Sequence, residues 1–167
     1  MKLTHRRLSA AAAVFCFTTL AAPAFAQKAI VVVRHAEKVD ESADPLLSAA
    51  GTARAENLAK VLRTMDVKAV YTTQYQRTWL TAEPLMKAQT LQPIKVQANA
   101  APELIDRMKK EHPADVVLTV GHSNSVPNIL KLLGVTEEIK IADTEFDNLF
   151  IVVPSASGPP TLLRLRY

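Results

Sequence analysis

Cysteine is almost missing from this chain: Cys16 is the only one in 167 residues. It lies in an N-terminal stretch that reads as a removable leader, so residues 27–167 contain none. That part has no disulfide, no thiolate nucleophile and no Cys-ligated metal. Phosphate-cradling glycine loops are missing too, since neither a Walker P-loop nor a Gly-x-Gly-x-x-Gly occurs. Long apolar runs are confined to the leader. Leu8 to Ala22 is short of the roughly 20 residues that a membrane span needs.

The leader has a basic start at Lys2, Arg6 and Arg7, then the apolar run, then Pro23-Ala-Phe-Ala26 with its small-x-small ending. That pattern predicts a secretory signal peptide over residues 1–26, cleaved after Ala26. The expected location is periplasmic or secreted, with no stable membrane anchor after cleavage. The leader also accounts for the charge. It takes three of the 20 basic residues and none of the 16 acidic ones, leaving 17 against 16. A near-neutral chain is no evidence for nucleic-acid binding. Residues 27–167 suit one domain, enough for one core.

Strand and helix signals alternate along that domain. Ala29–Val33 and Asp115–Val120 are continuous and apolar, as central parallel strands are. Lys68–Tyr71 and Pro93–Gln97 are further strands, and Asn148–Val153 with Leu162–Arg166 forms a late pair. Helices are expected from Ser48, as a cap, to about Met65; from Tyr75 to Ala88, kinked or split at Pro84; over Pro102–Glu111; and over Ser123–Leu133, closed by Gly134. The expected fold is an α/β three-layer sandwich, a mostly parallel central sheet with helices on both faces.

Both central strands run straight into a histidine, as Val33-Arg34-His35 and Val120-Gly121-His122. The carboxyl edge of such a sheet is where chemistry is placed. A guanidinium beside an imidazole suits an oxyanion, most obviously phosphate. Gly121 removes a side chain where the backbone turns, which lets a ligand approach, and the following helix start offers backbone N–H groups to an anion. Arg77, about one turn past Thr72-Thr73, reaches toward the same edge.

Together, Arg34-His35-Ala36-Glu37, Thr73 through Arg77 to Thr81-Ala82, and Gly121-His122 resemble the motifs of the histidine phosphatase superfamily, the phosphoglycerate mutase-like fold. The order and spacing fit from Ala29 to about Val153, as in a small exported member. The resemblance implies a phosphatase in which His35 is the nucleophile and forms a phosphohistidine. Arg34, Arg77 and His122 would surround the phosphoryl oxygens, with Thr73 and Ser123 beside them. No metal and no cofactor is implied. One branch of the family has an Asp after the second histidine as general acid, where this chain has Ser123. The other has a Glu well beyond the second arginine, a place Glu103 fills, with Asp106 as second choice. Some small members have no clear acid and act on substrates such as phosphohistidine.

Rival readings are a zinc hydrolase and a non-catalytic phosphate-ester-binding module. His35-x-Glu37 opens a deaminase signature, but its Cys-x-x-Cys half is missing. The expected partner is a phosphoester substrate, whether small molecule, glycolipid or protein. A short chain with little room for a capping insertion implies an open pocket.

Overall fold

The computed structural model describes residues 28–167. The expected leader and its cleavage site lie outside the described residues. Ten elements follow one another: β1 (Ala29–Arg34), α1 (Ala49–Leu62), β2 (Val67–Thr72), α2 (Gln76–Gln89), β3 (Pro93–Lys95), α3 (Ala101–Glu111), β4 (Val116–Gly121), α4 (Ser125–Leu132), β5 (Asn148–Val153) and β6 (Thr161–Arg166). They build one six-stranded sheet in the order β3-β2-β4-β1-β5-β6. β1 to β4 are mutually parallel, while β5 runs antiparallel to β1 and to β6. The two strands expected to be central, β1 and β4, are neighbours and fully buried.

Alternation along β1 divides the core. Ile30 and Val32 face α3 and α4 through Leu104, Met108, Val126 and Ile129. Val31 and Val33 face α1 and α2 through Leu58, Leu62, Ala82 and Leu85. A helix pair on each face of a sheet whose strands are apolar on both sides is the three-layer arrangement expected.

Local signals explain most boundaries. Ser48 caps α1, its hydroxyl accepting from the Gly51 amide at 3.1 Å. α4 ends in a Schellman motif: Gly134, at φ +94°, donates to the Lys131 carbonyl, and Val135 donates to that of Leu130. α2 is not split. It runs unbroken through Pro84, because the missing amide removes one ladder bond while Leu85 and Met86 stay buried against the sheet. Val61, placed by spacing on the buried face of α1, is 43% exposed.

Candidate functional site

Pairing between β1 and β4 brings the two histidines together. Arg34 lies opposite Gly121 in a parallel register, so the next residues, His35 and His122, leave adjacent strand ends. The His35 amide donates to the Gly121 carbonyl at 2.9 Å. The two imidazoles meet edge to face with centroids 5.2 Å apart. They line a cleft of about 440 Å³ with Arg34, Arg77, Tyr75 and Ser123.

His35 is oriented as a nucleophile must be. Its Nδ1 lies 2.8 Å from the Ala36 carbonyl oxygen. A carbonyl only accepts, so Nδ1 bears the proton and the Nε2 lone pair is free. The residue is 4% exposed. Burial, first of all, drives its pKa down to about 3; the charges of His122, Arg77 and Arg34 push the same way, against the Ala36 hydrogen bond. Dehydration, rather than the neighbouring arginines, is the larger cause. Either way the ring is neutral at physiological pH.

His122 is oriented by a chain of hydroxyls. Thr78 donates to the Tyr75 carbonyl at 2.8 Å, so its oxygen is left to accept from the Thr73 hydroxyl at 3.1 Å. The Thr73 oxygen then accepts from His122 Nε2, also at 3.1 Å. The proton of neutral His122 is thereby fixed on Nε2, and Nδ1 has no partner among the described residues. Burial and then Arg77 and Arg34 lower its pKa to about 4.

The two arginines are held differently. Arg34 Nη1 donates to three backbone carbonyls, those of Ala142, Asp143 and Glu145, at 2.9, 3.0 and 3.1 Å. Its guanidinium stacks on Phe146 at 4.1 Å. Arg77 lies over the Tyr75 ring at 4.2 Å and is held loosely, by a long hydrogen bond from Nη1 to the Ala43 carbonyl at 3.5 Å and a distant ion pair with Asp44 at 3.8 Å. In both, Nε is buried with no hydrogen-bond partner. Two dehydrated guanidinium donors left unsatisfied beside one cleft call for an acceptor that is not part of the protein.

Two sequence-based assignments change. Glu103 is exposed on the first turn of α3 and does not line the cleft, nor does Asp106, also exposed; helical spacing placed them near in sequence, but α3 packs under the sheet and turns both outward. Among the described residues, Asp143 is the only carboxylate in the cleft lining. Gly121 serves packing rather than ligand approach, because a Cβ there would meet Ser125 Oγ at 2.7 Å. That hydroxyl takes the His122 amide, and the Ser125 and Val126 amides bond to the His122 carbonyl, leaving the Ser123 and Asn124 amides at this turn. Glu37 serves the scaffold: burial alone would raise its carboxyl, but a bidentate pair with Arg54 outweighs that and holds it below the usual range.

Arg34, His35, Arg77, His122 and Ser123 come together as expected, with Thr73 behind His122. Sequence reasoning missed Tyr75, Asn99 and the 142–146 loop. An aromatic at the start of a helix bearing the second arginine was the available signal for Tyr75. Nothing marked the loop, which acts on Arg34 through backbone carbonyls.

A model of the histidine phosphatase superfamily (branch 1) matches residues 30–101, which include the first histidine and Arg77. No curated protein matches the chain in sequence. Among solved structures, the protein histidine phosphatase SixA complexed with tungstate is 15% identical and superposes with a TM-score of 0.67, over 83% of this chain and 96% of that one. Mycobacterial glucosyl-3-phosphoglycerate phosphatase with inorganic phosphate is 13% identical, TM-score 0.63, over 84% and 96%. Identities this low speak to the fold alone.

Proposed function

We infer that this chain, which belongs to the histidine phosphatase superfamily, hydrolyses phosphomonoesters through a phosphohistidine on His35. One observation carries the reading: a buried imidazole with Nδ1 tied to Ala36 and Nε2 free, beside two guanidiniums with unmatched Nε donors.

The chemistry follows in two displacements. His35 Nε2 attacks phosphorus, the ester P–O bond breaks, and the leaving oxygen takes a proton from solvent water. The hydroxide equivalent then attacks phosphorus and the P–N bond breaks, returning neutral His35 and inorganic phosphate. Arg34 and Arg77 stabilise charge on the equatorial oxygens, the largest part of the barrier in phosphoryl transfer. A fixed Nδ1–H on His35 matters because the other tautomer would present an Nε2–H, not a lone pair.

A second reading concerns the substrate. Glu103 and Asp106 stand away from the cleft, which favours a leaving group that needs little protonation, such as a phosphohistidine side chain. SixA-type and sugar-phosphate phosphatases of this fold span those two possibilities. The leader pattern supports action after export, in the periplasm or outside the cell.

The test is turnover of an aryl phosphate by the Gln27–Tyr167 protein, with and without EDTA. Wild type releases product in steady state, and a rapid quench traps acid-labile phosphate on the protein. His35→Ala removes both while keeping the circular dichroism of the fold. Near-normal rates in that variant would reject the nucleophile, and phosphate binding without any turnover in wild type would leave a binding module.

A further inference from the structure

The catalytic cleft does not end at the phosphoryl site. A second, larger groove of about 690 Å³ runs along α4, and Asn124 belongs to the lining of both hollows. Asn124, Asn128 and Lys131 follow at the i, i+4, i+7 spacing that puts side chains on one helix face. Two amides and an ammonium thus lead away from His122. The opposite wall is mixed, with Thr136, Glu137 and Glu138 beside two apolar residues. Val135 and Ile139, each 8% exposed, come from the segment that Gly134 turns back along the helix.

Charge in this groove is uneven. Glu137 is paired with Arg164 at 2.8 Å, and Glu138 with Lys140 at 3.1 Å. Lys131 has no ion pair among the described residues and lies at the end away from His35. Seven residues of helix separate it from Asn124, roughly 10 Å along the axis.

We propose that this groove is the leaving-group subsite, and that the substrate is an elongated, hydroxyl-bearing phosphomonoester whose far end carries a second oxyanion, held by Lys131. The proposal rests on the phosphatase reading above and deepens it. Side-chain amides both donate and accept, which suits hydroxyls; Val135 and Ile139 offer apolar contact to the carbon chain; and the unpaired ammonium supplies the charge complement, the two groove carboxylates being paired with Arg164 and Lys140. A phosphate and a carboxylate satisfy Lys131 equally, so the shared feature is a distal oxyanion.

Three esters of one length separate the terms: hexyl phosphate, 6-phosphohexanoate and hexane-1,6-diol bisphosphate. Wild type should favour the two with a distal oxyanion by about five-fold in kcat/KM, through KM, since an exposed ammonium contributes modestly. Whichever of the two is preferred identifies the carboxylate or the phosphate as the natural group. Lys131→Ala should abolish the preference while leaving hexyl phosphate turnover and inhibition by inorganic phosphate unchanged. Asn128→Trp, which fills the groove, should lower kcat/KM for all three long esters but not for phenyl phosphate. The proposal fails if wild type shows no preference, or if Lys131→Ala slows hexyl phosphate as much as the distal-anion esters. Calorimetric binding of the same esters to His35→Ala protein, which needs no turnover, separates failure of the subsite from failure of the phosphohistidine reading.

Discussion

The amide of Ala36 donates to the hydroxyl of Thr81 at 2.9 Å, a hydrogen bond across 45 residues that ties the end of β1 to α2. Thr81 in turn donates to the Arg77 carbonyl at 2.7 Å, so one buried hydroxyl fixes the backbone next to His35 and the turn that bears the second arginine. Thr81→Val keeps the shape and strands a buried amide. It should cost about 1–3 kcal/mol in urea denaturation. It should also lower kcat, and Thr81→Ser should restore most of both. Unchanged stability in Thr81→Val would mean that the two motifs are not joined here.

Arg77 is the looser of the two guanidiniums, with its nearest carboxylate oxygen 3.8 Å away. Loss of a preorganised charged donor costs on the order of 10²-fold in phosphoryl or acyl transfer. Arg77→Ala should lower kcat/KM by about that factor and raise the inhibition constant for phosphate and vanadate. Arg77→Lys should recover little, because an ammonium cannot offer a forked pair of donors. An unaltered vanadate constant in Arg77→Ala would remove Arg77 from the site.

Two buried neutral histidines make the fold sensitive to acid. In an unfolded chain His35 and His122 take up protons near pH 6.5, but in the fold burial delays this to about 3 and about 4. Between those limits the unfolded state binds more protons, so stability falls as pH falls, by up to about 1.4 kcal/mol per pH unit for each histidine. Urea midpoints of wild type and of a His35→Asn/His122→Asn variant, compared at pH 7 and pH 5, check this. The variant should have the shallower dependence, and parallel slopes would place both imidazoles in water.

What the sequence discloses here depends on whether side chains or backbone do the work. β1 and β4 are legible because strands buried on both faces leave continuous apolar runs, and His35 and His122 stand out by ending them. The register that sets their rings 5.2 Å apart follows from the pairing of those strands. The clamp on Arg34 is illegible, since three carbonyls carry no residue signature. Glu103 misled for a related reason. Its distance along the chain fits an acid, but α3 buries Leu104, Ile105 and Met108, and that choice of face turns Glu103 to solvent.

Glu37 shares a motif with His35 yet serves the scaffold. Its carboxylate takes Arg54 Nη2 at 2.6 Å and Arg54 Nε at 2.9 and 3.0 Å, while Arg54 Nη1 donates to the Tyr167 carbonyl at 2.8 Å. Breaking a half-buried pair of this kind leaves Arg54 short of acceptors. Glu37→Gln should therefore lower the urea midpoint while the inhibition constant for phosphate stays put. A changed constant with unchanged stability would assign Glu37 to the site instead.

Gly51 tests how α1 supports the strand end that carries His35. In a helix, Gly→Ala ordinarily gains about 1 kcal/mol from propensity. At this position a Cβ would stand 2.2 Å from the Glu37 carbonyl oxygen and 3.0 Å from the Glu37 nitrogen, both backbone atoms two residues from His35. That same carbonyl accepts the Ser48 amide at 2.9 Å, so it has no free direction in which to yield. Overpacking of this kind costs about 1–3 kcal/mol or more, enough to reverse the propensity gain. Gly51→Ala should be less stable than wild type and slower in turnover, because the shift reaches Ala36 and the hydrogen bond that orients the imidazole. A variant as stable as wild type or more so, as propensity alone dictates, would mean that α1 does not press on the strand end that holds His35.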